Sequence, residues 1–263
     1  MPATQNPGIG LALSGGAVRG FAHIAVLDVL EQEGVPIHAI AGTSAGSIIG
    51  ALYCAGMPLL EIKRILLNTK WTDILKFTIP RTGLISSDGI YRFMDNILPV
   101  KKFSDLPLPF AAVATDLRTG EKVTITTGSI ARAVQASCSL PVIFTPTEIN
   151  KKALVDGGFS SQVPVRVLRE ELNVQKVIAV NVNYKAPELN HFDNIIKIAA
   201  HLSALWASRN AREEEKLADV VIPVNARGIA LYDLSKAKEL LKRGKEAAEE
   251  MMPEVKALVL KHG

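Results

Sequence analysis

The 263-residue chain is long enough for one substantial core, and its 48% hydrophobic and 21% charged residues exclude a disordered or low-complexity protein. Two cysteines and five scattered histidines form no zinc pattern, so neither a metal nor another cofactor is expected, nor is a nucleic-acid partner. The net charge of +4 is concentrated between Leu60 and Lys102, where eight basic residues (Lys63, Arg64, Lys70, Lys76, Arg81, Arg92, Lys101, Lys102) oppose four acids (Glu61, Asp73, Asp88, Asp95).

That segment also holds Trp71, Phe77, Tyr91 and Phe93. Basic and aromatic residues together suit an anionic membrane surface or an anionic substrate, and they equally suit a plain solvated face. The stretch from Met1 to Gly8 lacks the basic flank and apolar run of a signal peptide. The longest apolar stretch, Ile37 to Met57, is broken by Gly42, Thr43, Ser44, Gly46, Ser47 and Gly50, so no spanning helix is expected. Cys54 and Cys138 read as buried free thiols of a reducing compartment. The expected setting is cytoplasmic, with peripheral contact at the inner membrane surface left open.

In chain order, Ile9 to Leu13 reads as a buried strand running into the glycine loop Ser14-Gly15-Gly16-Ala17-Val18-Arg19-Gly20. Arg19 to Glu33 carries a helical apolar stripe stopped by Gly34. Ile37 to Ala41 is a second buried strand, and Gly42 to Gly46 a tight turn before a small-residue helix over Ser47 to Ala55. This β-loop-α-β-turn-α order predicts parallel first and second strands. Met57 to Pro109 is less regular. Phe110 to Leu117 and Lys122 to Thr127 read as strands joined at Arg118-Thr119-Gly120, and Ser129 as the N-cap of a helix to about Ser137. Thr145 to Ile149 and Ala153 to Asp156 flank Asn150-Lys151-Lys152 as a hairpin. Lys176 to Val182 and Val220 to Val224 are further core strands, separated by a long helix around Asn194 to Lys216. Ser235 to Lys261 is an amphipathic helical tail interrupted at Pro253.

Three motifs carry chemistry. Gly42-Thr43-Ser44-Ala45-Gly46 matches G-x-S-x-G between a strand and a helix, where a serine on a strained turn projects its hydroxyl away from the sheet. The glycine loop after the first strand exposes backbone N–H groups that can bind an anion. It is a poor dinucleotide loop, because Ala17 stands where G-x-G-x-x-G needs glycine, and it can instead serve as an oxyanion hole for Ser44. A serine nucleophile needs a proton acceptor. None of His23, His38, His191, His201 and His262 follows a strand in a recognisable turn, whereas Asp156-Gly157-Gly158 does, with an ordinary Asp-Gly turn as its plainer reading.

Together these motifs, with Ala114-Thr115-Asp116-Leu117 and Ser137-Cys138-Ser139-Leu140-Pro141 between them, resemble the patatin-like phospholipase family over about Ile9 to Val182. The resemblance implies a three-layer α/β/α fold with a mostly parallel sheet. It implies a single domain over 1–263, with a core at about 9–182 and a helical C-terminal extension over about 190–263. It further implies a Ser–Asp dyad hydrolysing lipid acyl esters, with Ser44 as nucleophile and Asp156 as base. The N–H groups of Gly15, Gly16 and Ala17 would form the oxyanion hole. Arg19 and Gly20, and the glycines Gly42, Gly46, Gly157 and Gly158, would support the motifs. Two other readings compete. One is an α/β-hydrolase with a Ser-Asp-His triad completed by His191 or His201, and the other is a non-catalytic lipid-binding module.

Overall fold

The computed structural model describes residues 6–69, 83–184 and 195–260. Lys70, Trp71, Lys76, Phe77 and Arg81 of the basic segment lie outside these residues, as do His191 and His262.

The short apolar runs form one eight-stranded sheet. In chain order its strands are β1 (Asn6–Leu13), β2 (Ile37–Thr43), β3 (Phe110–Asp116), β4 (Lys122–Ile125), β5 (Thr147–Ile149), β6 (Lys152–Asp156), β7 (Val174–Tyr184) and β8 (Val220–Asn225). Their order is β5-β6-β3-β2-β1-β7-β8, with β4 paired to β3 off this path. The β1–β2, β2–β3, β1–β7 and β7–β8 pairs are parallel, while β4, β5 and β6 join antiparallel. The hairpin expected around Asn150-Lys151-Lys152 is present with a shorter loop, Lys152 pairing with Ile149 and Asn150 and Lys151 adopting positive φ (51° and 63°).

Parallel strands are covered on both faces, so they read as continuous apolar runs rather than alternating ones. The alternation is hidden in residue size. Leu11, Leu13, Ile40, Phe110, Ile178 and Val180 face one core, and the smaller Ala12, Ala39, Ala41, Ala111, Val113 and Ala179 face the other.

The larger core is covered by α1 (Phe21–Gln32), α2 (Ala45–Cys54), α3 (Leu59–Asn68), α4 (Asp88–Ile97) and α5 (Ile130–Ser137). The other is covered by α6 (Val165–Glu170) and α7 (Ile195–Glu215). The three-layer α/β/α arrangement follows. Two last helices, α8 (Ala237–Glu250) and α9 (Met252–Leu260), also bury Leu240, Ala248 and Val255 in the larger core. A Cβ on Gly244 would lie 2.4 Å from the Ala22 carbonyl, so α8 lies directly on α1. The C-terminal part therefore contributes a strand and two helices to the common core. Its helices divide at Met251, and Pro253 sits in the first turn of α9, where a missing N–H costs nothing.

Candidate active site

Ser44 is the residue between β2 and α2, with φ 50° and ψ −121°. A non-glycine residue held there stores roughly 1–3 kcal/mol, which its surroundings must over-determine. They do so through hydrogen bonds. The Ser44 carbonyl accepts from the N–H of Ser47 (2.8 Å) and Ile48 (3.2 Å) and from the Ser47 hydroxyl (2.6 Å). The Ser44 N–H donates to Ser137 Oγ at 2.9 Å. The flanking glycines are needed for close approach: a Cβ on Gly42 would lie 2.5 Å from the Gly46 carbonyl, and one on Gly46 would lie 2.3 Å from the Leu13 carbonyl.

Asp156 reaches Ser44 through β3. β4 pairs with Ala112 to Thr115, overlapping the β3 residues used by both β2 and β6. Those two strands must therefore share the opposite edge of β3. β2 ends there with Thr43 opposite Val113, and β6 begins its pairing with Asp156 opposite Ala114. A Cβ on Gly157 would fall 2.2 Å from the Val113 carbonyl, which shows how closely the turn crosses this junction. The same carbonyl accepts the Ser137 hydroxyl at 2.6 Å, so Ser137 links β3 to the elbow.

The Asp156 carboxylate is buried, and desolvation raises its pKa from 3.8 to about 6. The Gly158 N–H, 2.8 Å from Oδ1, and the Ser44 hydroxyl favour the charged form and limit the rise. Cys138 lies beside the pair, and burial pushes its thiol well above the usual range.

The glycine loop departs from expectation in one respect. The Gly15 N–H donates to the Gln162 carbonyl at 3.2 Å, so it is engaged within the fold rather than open to a ligand. The N–H groups of Gly16 and Ala17 have no partner among the described residues. Ala17 adopts φ 47°, a conformation that costs an L-residue roughly 1–2 kcal/mol, so alanine does enter the geometry where glycine would be easier. Arg19, which the helical stripe assigned to a helix start, lies instead in a 3₁₀ turn over Ala17–Gly20 and is buried. Its guanidinium donates to the Ile229 carbonyl (3.2 and 2.8 Å) and to Asn183 Oδ1 (2.6 Å). Desolvation lowers its pKa to about 10.

Two cavities meet at this point, both walled by Ala17, Ser44, Leu140 and Asp156. The larger, about 180 Å³, continues between Phe21, Ile48, Ile49, Leu66, Ile90 and Phe93. The smaller, about 70 Å³, is walled by Gly15, Gly16, Gly158, Gln162, Asn183 and Ser203. No histidine lines either cavity among the described residues. His201 is half-buried on α7, and His38 bonds near the start of β1 and β2. His23 is buried with Nε2 2.9 Å from the Ser14 carbonyl, and desolvation drops its pKa to about 4. Ser137, Gln162 and Asn183 also meet at this cleft. Ser137 lay within a quoted stretch, whereas the other two carry no local signal.

Comparison with known proteins agrees with this architecture. Residues 11–169 match the family model described as patatin-like phospholipase. An uncharacterized NTE family protein of Mycobacterium tuberculosis is 30% identical over 245 residues, which is 91% of this chain and 62% of that protein. The chain thus spans about three fifths of that relative's length. Patatin-like phospholipase domain-containing protein 6 of Homo sapiens is 32% identical over 182 residues, covering 66% of this chain and 13% of its own. Among solved structures, VipD from Legionella pneumophila shares the fold, with a TM-score of 0.65 at 15% identity over 96% of this chain and 67% of that one. Since the matched stretch contains the glycine loop, the Ser44 elbow and the Asp156 turn in one cleft, the chain belongs to the patatin-like phospholipase family.

Proposed function

We propose that this chain is a lipid acyl hydrolase working through a Ser44–Asp156 dyad. In this reading Asp156 accepts the proton of Ser44 as Oγ attacks the ester carbonyl. The N–H groups of Gly16 and Ala17 stabilise the oxyanion, and the alcohol departs taking the proton from Asp156, which is left ionised. Water then attacks the acyl-enzyme, giving a proton to Asp156, and the fatty acid leaves as Ser44 regains its hydroxyl. The observation that carries the reading is the buried carboxylate raised to about 6 beside a strained serine. Such a pKa makes a usable base near neutral pH.

The apolar cavity suits the acyl chain. At about 180 Å³ it is larger than the apolar cavity of about 150 Å³ that accommodates benzene, so it admits part of such a chain. The smaller cavity would hold the alcohol side of the ester. A relative named Lysophospholipase NTE1 from Cryptococcus neoformans, 35% identical over 184 residues (66% of this chain, 11% of that one), makes lysophospholipids a natural first substrate set.

Peripheral membrane contact belongs to the same proposal. α3 exposes Leu60, Leu67, Lys63 and Arg64, while Leu66 of that helix lines the apolar cavity. Among the described residues no helix is long and apolar enough to cross a membrane. The buried free thiols of Cys54 and Cys138 suit a reducing, cytoplasmic setting.

A fluorophosphonate probe tests the core of the proposal. It should modify the wild type at Ser44, and Ser44→Ala should be unlabelled and inactive on acyl esters. Labelling elsewhere, or none, would refute it. The triad reading is separated by His191→Ala and His201→Ala, each of which should keep most activity.

A further inference from the structure

The peptide joining Gly15 to Gly16 is anchored through its oxygen. The Gly15 carbonyl accepts from Asn183 Nδ2 at 2.6 Å and from Gln162 Nε2 at 3.0 Å. A trans peptide is planar, with its C=O and N–H pointing in opposite directions. Whatever holds the oxygen therefore aims the Gly16 N–H the other way. That N–H has no acceptor among the described residues, and Gly16, Ala17 and Ser44 wall the same small cavity.

The Asn183 amide is itself held in one orientation. Arg19 Nη1 donates to Asn183 Oδ1 at 2.6 Å. A guanidinium can only donate, so the amide oxygen must face Arg19 and the NH₂ must face Gly15. The Asn183 backbone N–H is tied to Asn181 Oδ1 at 2.8 Å, which fixes the end of β7 beside the loop. Arg19 is buried and anchored on the Ile229 carbonyl, so the chain of contacts ends on the backbone of a buried residue.

We infer that Asn183 is a positioning residue for the oxyanion hole, fixing the Gly15–Gly16 peptide in the orientation that offers the Gly16 N–H to the reacting ester. The inference rests on the hydrolase reading above. A flipped peptide would present a carbonyl oxygen to the developing negative charge and would remove that donor. Donors on the Gly15 oxygen also polarise the peptide, which strengthens the N–H on its far side. Gln162 acts on the same oxygen from the turn after Asp156, so the two sides of the cleft are coupled through one carbonyl.

The test is Asn183→Asp. Aspartate keeps the shape and accepts from Arg19 as an ion pair, but it has no hydrogen to donate and sets a carboxylate against the Gly15 oxygen. On a short soluble ester, kcat should fall about 10²-fold, the scale of losing one oxyanion donor. KM should stay within about twofold, and the melting temperature should hold or rise. Fluorophosphonate labelling should slow in parallel, because its adduct places an oxygen in the same hole. Gln162→Glu should show the same split between kcat and KM. A folded Asn183→Asp with unchanged kcat would overturn the inference, as would activity lost only in proportion to lost folded protein. A wild type that neither labels nor turns over would instead bring down the hydrolase reading.

Discussion

Thr43 and Asp156 occupy successive rungs along one edge of β3, opposite Val113 and Ala114. Ser44 follows Thr43 directly, so two residues 112 apart in sequence are brought together by neighbouring positions of a third strand. Ser137, bonded to both the Val113 carbonyl and the Ser44 N–H, secures the junction from α5.

The strain at Ser44 has a measurable counterpart. Glycine enters φ 50° without the steric cost that a side chain incurs. Ser44→Gly and Ser44→Ala should both be inactive on acyl esters, yet the glycine variant should be the more stable by up to about 2 kcal/mol, the strain less glycine's greater unfolded-state entropy. Chemical denaturation of the two variants reads this directly. A glycine variant less stable than the alanine one by about 0.4–1 kcal/mol would mean that the elbow is unstrained in solution.

Asp156 should leave its mark on both activity and stability. As the proposed base it must be ionised, so kcat/KM should fall about tenfold per pH unit below about 6. Its folded pKa of about 6 lies above the unfolded 3.8, so burial favours the protonated form. Its contribution to stability is full below 3.8 and is lost as pH rises through 6, a loss of about 3 kcal/mol for a two-unit shift. Asp156→Asn should therefore be inactive, but more stable than wild type by up to that amount at pH 8. The advantage should vanish near pH 3.5. Melting curves of both proteins across pH decide it, and a variant less stable than wild type at pH 8 would contradict the buried-charge account.

The oxyanion loop has little room. A Cβ on Gly16 would lie 2.6 Å from Val182 Cγ2, so Gly16→Val must shift the loop or the buried Val182 side chain against it. Single-turnover acylation should drop about 10²–10³-fold, as expected for one misplaced donor. The glycine variant at the next position acts in the opposite sense. Ala17→Gly removes the penalty of φ 47° and should retain activity, with stability equal or slightly higher.

Charge reversal of the lipid should modulate docking. Replacing Lys63 and Arg64 with Gln should weaken binding to anionic vesicles by roughly fivefold per charge at low salt, since each is worth about 1 kcal/mol near such a surface. The effect should shrink at high ionic strength. Turnover of a short soluble ester should be unaffected, because neither side chain lines the cavities. Equal vesicle binding by mutant and wild type would leave α3 as a solvated face.

Local signals were readable in the sequence and long-range ones were not. The strand before the loop, the G-x-S-x-G turn, the Ser129 cap and the Asn150-Lys151 hairpin all depend on residues within a few positions, and each is present. The sequence places Arg19 at a helix start and in support of the glycine loop, but not what it holds, because its acceptor, Ile229, lies 210 residues away. The same reason hid the engagement of the Gly15 N–H by the Gln162 carbonyl, which leaves only the N–H groups of Gly16 and Ala17 without a partner in that stretch of described residues. Asn183 ends a strand whose neighbour is β1, and only that pairing places it beneath the loop. The sharing of one β3 edge by β2 and β6 is likewise invisible to periodicity, since it concerns which strand meets which.

The tandem arrangement on β3 separates two design problems that many sites leave entangled. The spacing of Ser44 and Asp156 is set by one peptide step of β3, and not by the lengths of the connections between β2 and β6. Those connections, including the long passage from α2 to β3, are free to lengthen, shorten or change composition. They can alter what enters the cleft and what surface it meets while the reacting groups stay in register. A bulge between Val113 and Ala114 would do the reverse, parting Ser44 from Asp156 while every residue of the cavity walls stayed the same.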